Sequence, residues 1–304
     1  MNLLLFACCV FSESTELEAL LMAESIRTFG GLYANAPIWW MIPADDVHYQ
    51  PKDLARIDSF RITIHRFPLD VTVRKLPFAA KTVAAGHAEA AAANQCETLV
   101  WLDCDVLLLQ SPDPLQLPSK KVLGCRPVDL ANISALANEP LPLYWSIIYQ
   151  ACGSEVVPHQ VSLISSIDRQ SILPHWNAGC IAARPERKLL QTWSRNFLAI
   201  HPMEQLQEFY RHDRRYAIFA HQAILAGTIL AMTTAEERIA LPNDVNFPLH
   251  LWERIDQTMR IPKLDEFVMV RYDNLATTSD WIDSYPMSDT LRIWCKTHFP
   301  VVKP

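Results

Sequence analysis

The stretch TLVWLDCDVLLL, residues 98–109, decides how this chain is expected to fold. Its apolar run has the length and composition of a buried strand. Asp103 and Asp105 stand one residue apart at the point where that strand would leave the core. Three explanations of the acidic pair are open: ligands for a metal on a phosphorylated substrate, a phospho-acceptor pair, or the cap of a plain turn.

Short apolar strands alternate with helical patterns in the first third of the chain. Strands separated by helices pair in parallel through crossovers, so the pattern predicts an α/β fold. Ligands in such sheets bind beyond the carboxyl ends of the strands, which is where the acidic pair falls. Thr15 and Glu18 are expected to form a capping box at the start of the first helix. The predicted strands are 3–11, 36–43, 60–68 and 98–109, and the predicted helices are 14–31, 51–57 and 76–95.

The composition argues against some classes of function. The 304 residues carry a net charge of -6 and their Lys and Arg are scattered, so a basic face for nucleic acid is not expected. The chain has 7 glycines and no G-x-G-x-x-G or G-x-x-x-x-G-K stretch. A phosphate-bearing ligand would therefore be held by side chains and a cation rather than by a glycine-rich loop.

The cysteines and the hydropathy pattern bear on where the protein works. None of the 8 cysteines forms a C-x-x-C pair, and several lie in apolar runs, which favours free thiols in a reducing, cytoplasmic compartment. The N-terminal run lacks a basic leading segment, so we interpret it as a first strand rather than a signal peptide. No run approaches the roughly 20 apolar residues that a membrane span needs.

An acidic pair spaced D-x-D can present both carboxylates on one side of a turn. Hard cations such as Mg²⁺ and Mn²⁺ prefer oxygen ligands and keep water and substrate phosphates in their other positions. A cation that bridges a diphosphate would offset the negative charge that grows on it as it leaves.

Four segments occur in the same order as the motifs of a known enzyme family. They are WLDCD at 101–105, WNAGCIAARP at 176–185, HQAIL at 221–225 and LPNDVNF at 241–247. Together they resemble the GT-A glycosyltransferases, closest to the glycogenin-like and lipopolysaccharide-galactosyltransferase-like (family 8-type) group that uses nucleotide-sugar donors. The resemblance covers residues 3–275. It implies a mixed, mostly parallel, Rossmann-like sheet flanked by helices.

The resemblance assigns the donor to the ends of two strands. Asp103 and Asp105, with Cys104 between them, match the D-x-D segment. In the family, this segment holds Mn²⁺ or Mg²⁺ on the donor diphosphate and contacts the ribose. Ala7 and Cys8, at the end of the first strand, match the pocket for the nucleotide base.

Five further residues match family positions near the donor and its sugar. Asn177 and Gly179 match an N-[SA]-G turn that faces the donor sugar, and Lys81 matches a basic residue near the donor. His221 and Gln222 match a D-Q pair near the reacting sugar, and they are the expected catalytic residues. His stands here in place of the family's Asp, so a role that needs that carboxylate does not carry over to this chain.

The family also supplies a third metal ligand, a His in an H-x-x-G-x-x-K-P segment after the last strand. In this chain the corresponding strand is followed by VRYDN, and the chain ends in HFPVVKP without the Gly. His298, Asp273 and His250 are therefore three open candidates for that ligand.

The resemblance implies one GT-A-like domain over residues 1–304, with a nucleotide-binding half at 1–127 and an acceptor-side half with a C-terminal extension at 128–304. The implied activity is metal-dependent transfer of a sugar from a nucleotide-diphosphate donor, a UDP-sugar, to a glycan or other hydroxyl acceptor, with retention of configuration. One alternative is a non-catalytic protein that binds nucleotide sugars or glycans. Another is a haloacid-dehalogenase-like phosphatase, in which the first Asp attacks phosphorus. That family places its D-x-D on the first strand, whereas Asp103 follows three predicted strands.

Overall fold

The structure, a computed structural model, describes residues 2–44, 49–154, 161–255, 261–273 and 281–299. Its centre is a seven-stranded sheet, and a three-stranded and a two-stranded sheet accompany it in the described ranges. The strands are β1 (Asn2–Cys9), β2 (Ile38–Pro43), β3 (Ile62–Phe67), β4 (Cys96–Leu102), β5 (Val106–Leu108), β6 (Leu123–Pro127), β7 (Leu163–Ile164), β8 (Ser171–Ile172), β9 (Trp176–Ala183), β10 (Arg238–Ala240), β11 (Phe247–Pro248) and β12 (Met269–Arg271).

Helices connect many of these strands, as a sheet wound by crossovers requires. They are α1 (Glu13–Phe29), α2 (Leu54–Ser59), α3 (Val71–Arg74), α4 (Ala79–Ala92), α5 (Leu143–Ala151), α6 (Leu189–Ile200), α7 (Glu204–His212), α8 (Arg214–Met232), α9 (Trp281–Ser284) and α10 (Asp289–His298). Among the residues described, none of these helices combines the length and the apolar character that crossing a bilayer requires.

The main sheet has the strand order β10-β6-β9-β4-β1-β2-β3. The strands β4, β1, β2 and β3 pair in parallel, as the alternating sequence pattern predicted. β9 is antiparallel to both of its neighbours, β4 and β6. The sheet is therefore mixed but mostly parallel, with helices on its faces, and the predicted fold class is confirmed.

The central strands β1, β2 and β4 are buried on both faces, which explains why they are nearly continuous apolar runs rather than alternating patterns. In β1, Leu4 and Phe6 belong to the core that includes α1. Leu5 and Ala7 point to the opposite face, whose core includes α4, α6 and α8. The period of two expected of a strand is thus present, although every one of these side chains is apolar.

Two local features differ from the sequence prediction. The acidic turn separates two strands instead of ending one, because β4 stops at Leu102 and a new strand, β5, begins at Val106 and pairs with β12. The capping box of α1 is formed by Ser12 and Thr15, three residues earlier than predicted. The hydroxyl of Ser12 accepts the N–H of Thr15, and the hydroxyl of Thr15 accepts the N–H of Ser12.

Candidate active site

The candidate site is a cleft of about 680 Å³ at the carboxyl ends of β1 and β4. These strands are parallel neighbours, with Ala7 opposite Trp101, so Cys9 and the acidic turn reach the same edge of the sheet. Both halves of the chain contribute to the lining. Its Asp, Glu, Lys and Arg residues are Glu18, Arg74, Lys81, Asp103, Asp105, Asp129, Arg271 and Asp273.

Lys81 reaches the acidic turn from α4. Its Nζ lies 2.6 Å from Oδ1 of Asp103. The side chain is 10% exposed, and a charge this deeply buried needs an ionic partner. α4 packs against β1 and α6, which fixes the direction from which the lysine approaches. The structure therefore brings two of the predicted site residues into direct contact.

Asn177 and Gly179 lie on β9, a central strand, rather than in the turn predicted for them. The N–H of Asp103 donates to the carbonyl oxygen of Gly179 over 2.9 Å. A methyl group on Gly179 would lie 2.8 Å from Oδ2 of Asp103, closer than Cβ atoms approach other atoms. The absence of a side chain at position 179 therefore makes room for the Asp103 carboxylate.

The carboxylate of Asp105 lies among other acids. Burial, and then the charges of Asp103 and Asp273, raise its pKa to about 7, while Arg271 opposes the shift. The backbone of Asp105 is fixed, because its carbonyl oxygen accepts the N–H of Tyr272 over 3.0 Å. A positive charge that entered the cleft here would favour the ionised form of this group.

The amide of Asn177 is used within the protein. Its Oδ1 accepts the N–H of Gly179 over 2.7 Å, and its Nδ2 donates to Oδ2 of Asp129 over 3.2 Å. The same oxygen of Asp129 accepts a hydrogen bond from Nη2 of Arg271, also over 3.2 Å. Asn177 thus orients Asp129, which lines the cleft beside it.

Two of the three candidates for a third metal ligand are in the cleft. Asp273 and His250 both line it and are bonded to each other, with Nδ1 of His250 against the Asp273 carboxylate. Nε of Arg271 donates to the same carboxylate over 3.1 Å. The third candidate, His298, instead pairs with Glu24 at 3.0 Å and is not part of the lining.

His221 and Gln222 lie on α8 and line the cleft. Nδ1 of His221 is 2.9 Å from the carbonyl oxygen of Ile218, which makes Nδ1 the protonated nitrogen and leaves Nε2 as an acceptor. The imidazole stacks on Phe78, with ring centroids 4.2 Å apart. Burial, and then the charge of Lys81, lowers the pKa of His221 well below its usual value. The imidazole is therefore neutral at neutral pH.

The end of β1 meets the cleft slightly further along the chain than predicted. Ala7 and Cys8 are fully buried within β1, whereas Cys9 and Phe11 line the cleft. Cys104 also lines it, but its Sγ lies 3.2 Å from the carbonyl oxygen of Cys9. Its thiol therefore links the acidic turn to β1.

Sequence reasoning missed several charged lining residues, namely Glu18, Arg74, Asp129 and Arg271. Asp129 and Arg271 are 142 positions apart in the chain, and the folded structure alone joins them. One signal was available for Asp129, because it lies two residues after the buried strand β6, near a strand end as Asp103 is after β4. The rule that ligands bind beyond strand ends would have selected it.

Asp103 and Asp105 fit a hard divalent cation in their chemistry. Their carboxylate oxygens are the ligands that Mg²⁺ and Mn²⁺ prefer. The pKa of Asp105 is raised first by burial and then by neighbouring negative charge, and a cation would offset that charge. Within the described ranges, no three His, Cys, Asp or Glu side chains are already grouped as a metal site. The two aspartates thus offer two ligands, and water and phosphate oxygens would complete the set.

Solved structures resemble this chain at low sequence identity. Mouse xyloside xylosyltransferase 1 in its apo form matches with 11% identity and a TM-score of 0.44, over 88% of this chain and 97% of that one. The galactosyltransferase LgtC with donor and acceptor sugar analogues matches with 13% identity and a TM-score of 0.46, over 89% and 87%. An active-site mutant of LgtC matches with 12% identity and a TM-score of 0.48, over 88% and 86%. Likeness at this level does not by itself assign a function.

A protein-family model gives a match over most of the chain. The model is described as a Rhodobacterales glycosyltransferase domain, and it matches residues 6–226. This range contains the second half of β1, the acidic turn, β9 and the His221–Gln222 pair. A search of curated proteins finds no match. Since the family match spans well over half of the 304 residues, the chain belongs to the Rhodobacterales glycosyltransferase family, and its predicted identity as a glycosyltransferase is confirmed.

Proposed function

We propose that this glycosyltransferase moves a sugar from a nucleotide-diphosphate donor, a UDP-sugar, to a hydroxyl group of a glycan or other acceptor, with retention of the anomeric configuration. The observation that carries the proposal is the pair Asp103 and Asp105 at the carboxyl edge of β4, beside the buried ammonium group of Lys81. The cleft of about 680 Å³ falls in the range of sites that enclose small ligands. A GT-A architecture agrees with the mixed, mostly parallel sheet.

Metal dependence follows from the charge around the acidic pair. A diphosphate that approached Asp103 and Asp105 alone would meet charge of its own sign. Mn²⁺ or Mg²⁺, when bound, would supply the positive charge that stabilises the departing diphosphate. Asp103 and Asp105 would hold the cation, and Asp273 and His250 are the candidates for a further ligand because both line the cleft.

Lys81 has two roles in this proposal. Its ion pair with Asp103 holds that carboxylate in one direction. Its ammonium group also adds a fixed positive charge at the edge of the cleft where the diphosphate would bind. A positioned cation of this kind stabilises charge that develops on a leaving group.

We place the reacting sugar beside His221 and Gln222, the proposed catalytic residues. The neutral His221 offers Nε2 as an acceptor for a sugar hydroxyl, because its Nδ1–H is engaged by the carbonyl of Ile218. The amide of Gln222 both donates and accepts, and this residue is half-buried at the cleft. These two side chains would orient the sugar toward the acceptor hydroxyl. Holding the two reacting groups in this geometry would increase the rate of transfer.

The division of labour along the chain is also a proposal. Residues 1–127 would form the nucleotide-binding half of a single domain over residues 1–304, because β1, α4 and the acidic turn come from them. Residues 128–304 would form the acceptor-side half, since Asp129, His221 and Arg271 line the cleft from there. The free thiols of all eight cysteines are consistent with a cytoplasmic location.

The test is release of UDP from UDP-glucose and UDP-galactose, with Mn²⁺ present and after chelation. We expect metal-dependent release that falls roughly 100-fold in Asp105→Asn. Asp58→Asn removes an exposed aspartate on α2 that does not line the cleft, so it should behave as the wild type.

Each other outcome favours a different explanation. Release that persists after chelation would contradict the metal part of the proposal. Binding of UDP-sugars without any turnover would favour a non-catalytic protein. Hydrolysis of simple phosphate monoesters, lost in Asp103→Asn, would favour a phosphatase and contradict the proposed transfer.

A further inference from the structure

Phe78 has a backbone conformation that is unfavourable for a large side chain. It directly precedes α4 with φ at +59°, in the left-handed region where a bulky residue is strained. Its carbonyl oxygen accepts two hydrogen bonds from Thr82, one from the N–H over 3.0 Å and one from the hydroxyl over 2.9 Å. These bonds hold the first turn of α4, so the direction of the Phe78 side chain is fixed.

The ring of Phe78 is held at the cleft rather than buried in the core. It stacks on the imidazole of His221, with the ring planes 22° apart. It nevertheless stays 44% exposed and lines the cleft. Leu76 and Phe219 line the cleft as well and pack in part against the core beneath. We call these three side chains, Leu76, Phe78 and Phe219, the apolar wall.

The apolar wall borders the charged part of the site. Nζ of Lys81 lies 5.7 Å from the centre of the Phe78 ring, and the same Nζ lies 2.6 Å from Asp103. A ligand that rested on Phe78 would therefore lie beside the group that contacts the donor in the proposed function. Gln222, the residue after the stacked His221, is a polar side chain that also lines the cleft.

We propose that Phe78 binds and selects the acceptor, by stacking its exposed ring surface against the apolar C–H face of a pyranose. This inference rests on the proposed function and names the class of acceptor for the same cleft. A pyranose has an apolar face and a rim of hydroxyl groups, and Gln222 supplies a donor and an acceptor for that rim. An aromatic ring already stacked on His221 presents a rigid surface, which binds with little loss of side-chain freedom.

The strain at Phe78 supports a role for the ring itself. Glycine or asparagine would adopt the same backbone conformation with much less strain, but neither has an aromatic surface. An outlier of this kind inside a cleft points to function.

The test uses Phe78→Gly, because glycine tolerates a φ of +59°. The variant also keeps the carbonyl oxygen at position 78, which accepts both hydrogen bonds from Thr82. The probes are the methyl β-glycosides of glucose, galactose and xylose, titrated by saturation-transfer NMR with UDP and Mn²⁺ present. We expect the wild type to bind at least one of them through protons of one ring face. Phe78→Gly should bind it about tenfold more weakly, with the Kd for UDP changed less than about twofold.

Two controls keep the result interpretable. Phe78→Leu retains an apolar side chain without an aromatic face, so its glycoside affinity should fall between those of the wild type and the glycine variant. If Phe78→Gly does not fold, the comparison of glycoside affinity between Phe78→Leu and the wild type tests the inference instead. Leu143→Ala truncates an apolar residue that is 66% exposed at the start of α5 and outside the lining, so both affinities should match the wild type.

Equal glycoside affinity in Phe78→Gly and the wild type would overturn the inference. So would a wild type that binds none of the three glycosides, or a loss of UDP affinity as large as the loss of glycoside affinity. A failure of the proposed function would look different: the wild type would release no UDP from UDP-sugars, while glycoside binding would still weaken in Phe78→Gly.

Discussion

Replacing Gly179 by alanine tests how closely β9 and the acidic turn must approach. A methyl group at this position would lie 2.8 Å from Oδ2 of Asp103 and 2.9 Å from Oδ1 of Asn177. Cβ atoms in proteins essentially never lie closer than 3.0 Å to such atoms, so the Asp103 carboxylate must move. Because Asp103 also contacts Nζ of Lys81 at 2.6 Å, that movement would disturb the ion pair.

We expect a modest loss of stability and a larger loss of activity. Overpacking a buried site costs about 1–3 kcal/mol, and the cost here should be near the lower end because the atoms displaced are ends of side chains. A shift of about 1 Å in a group that positions the substrate costs roughly 100-fold in rate, or ~2.7 kcal/mol of activation free energy. The expected increase in activation free energy is therefore larger than the expected loss in the free energy of unfolding.

Gly124→Ala is the matched control. Gly124 lies on β6 of the same sheet, and a methyl group there would meet Cδ2 of Leu241 at 3.0 Å and Cδ2 of Leu117 at 3.2 Å. None of these three residues lines the cleft. The measurements are urea unfolding and UDP release at saturating Mn²⁺. Both variants should lose similar stability, and only the variant at Gly179 should lose turnover. Normal turnover in Gly179→Ala would refute the claim that this glycine positions the carboxylate.

Three further predictions concern other parts of the molecule. Lys81→Met should lower UDP release from UDP-sugars roughly 100-fold because it leaves a cleft carboxylate without its ionic partner, and Lys81→Arg should retain more activity. Burial raises the pKa of Glu89, which accepts the N–H of Gln191, to about 7, so the folded protein binds this proton more tightly than the unfolded chain. Stability should therefore fall by up to ~3 kcal/mol as the pH rises from 4.5 to about 7, and urea unfolding of Glu89→Gln should lack that slope. His250→Ala should raise the Mn²⁺ concentration for half-maximal UDP release about tenfold, whereas His298→Ala, outside the cleft, should not; the opposite pattern would exclude His250 as a ligand.

The parts of the fold that could be predicted are those with a local signal. The strands β1, β2 and β4 are apolar runs, β3 is a mixed edge strand, and helical patterns separate all four; this alternation predicts a parallel arrangement. The acidic turn was placed at a strand end for the same reason. Lys81 came from a family resemblance, and its contact with Asp103 needed the crossover of α4 onto β1 to become visible.

The position of β9 could not be predicted from its own residues. Asn177 and Gly179 are typical of turns, yet both lie in a central strand, because pairing with β4 and β6 outweighs their local preference. The contact between Asp129 and Arg271 had no local signal, since it joins residues 142 positions apart. Phe78 was counted as part of a helical pattern, and nothing in its sequence indicates a positive φ.

The three-stranded sheet explains how a late segment of the chain reaches the acidic turn. β5 begins directly after that turn, and β12 pairs with it in antiparallel register, which sets Arg271 opposite Val106. The next residue, Tyr272, donates its N–H to the carbonyl oxygen of Asp105. These backbone contacts therefore fix the position of the Arg271 main chain, from which its side chain extends into the cleft.

From that position Arg271 balances two acids from different parts of the chain. Its guanidinium group bonds to the carboxylates of Asp129 and Asp273. Burial works against its charge, but these carboxylates outweigh burial and raise the pKa of Arg271, so it stays charged at every pH at which the protein would be assayed. Asp105 lies close enough to feel this charge, yet its own pKa is raised. The charges of Arg271 and Lys81 therefore leave Asp105 with a raised pKa, caused first by burial and then by the charges of Asp103 and Asp273, and a divalent ion bound there would favour its ionised form.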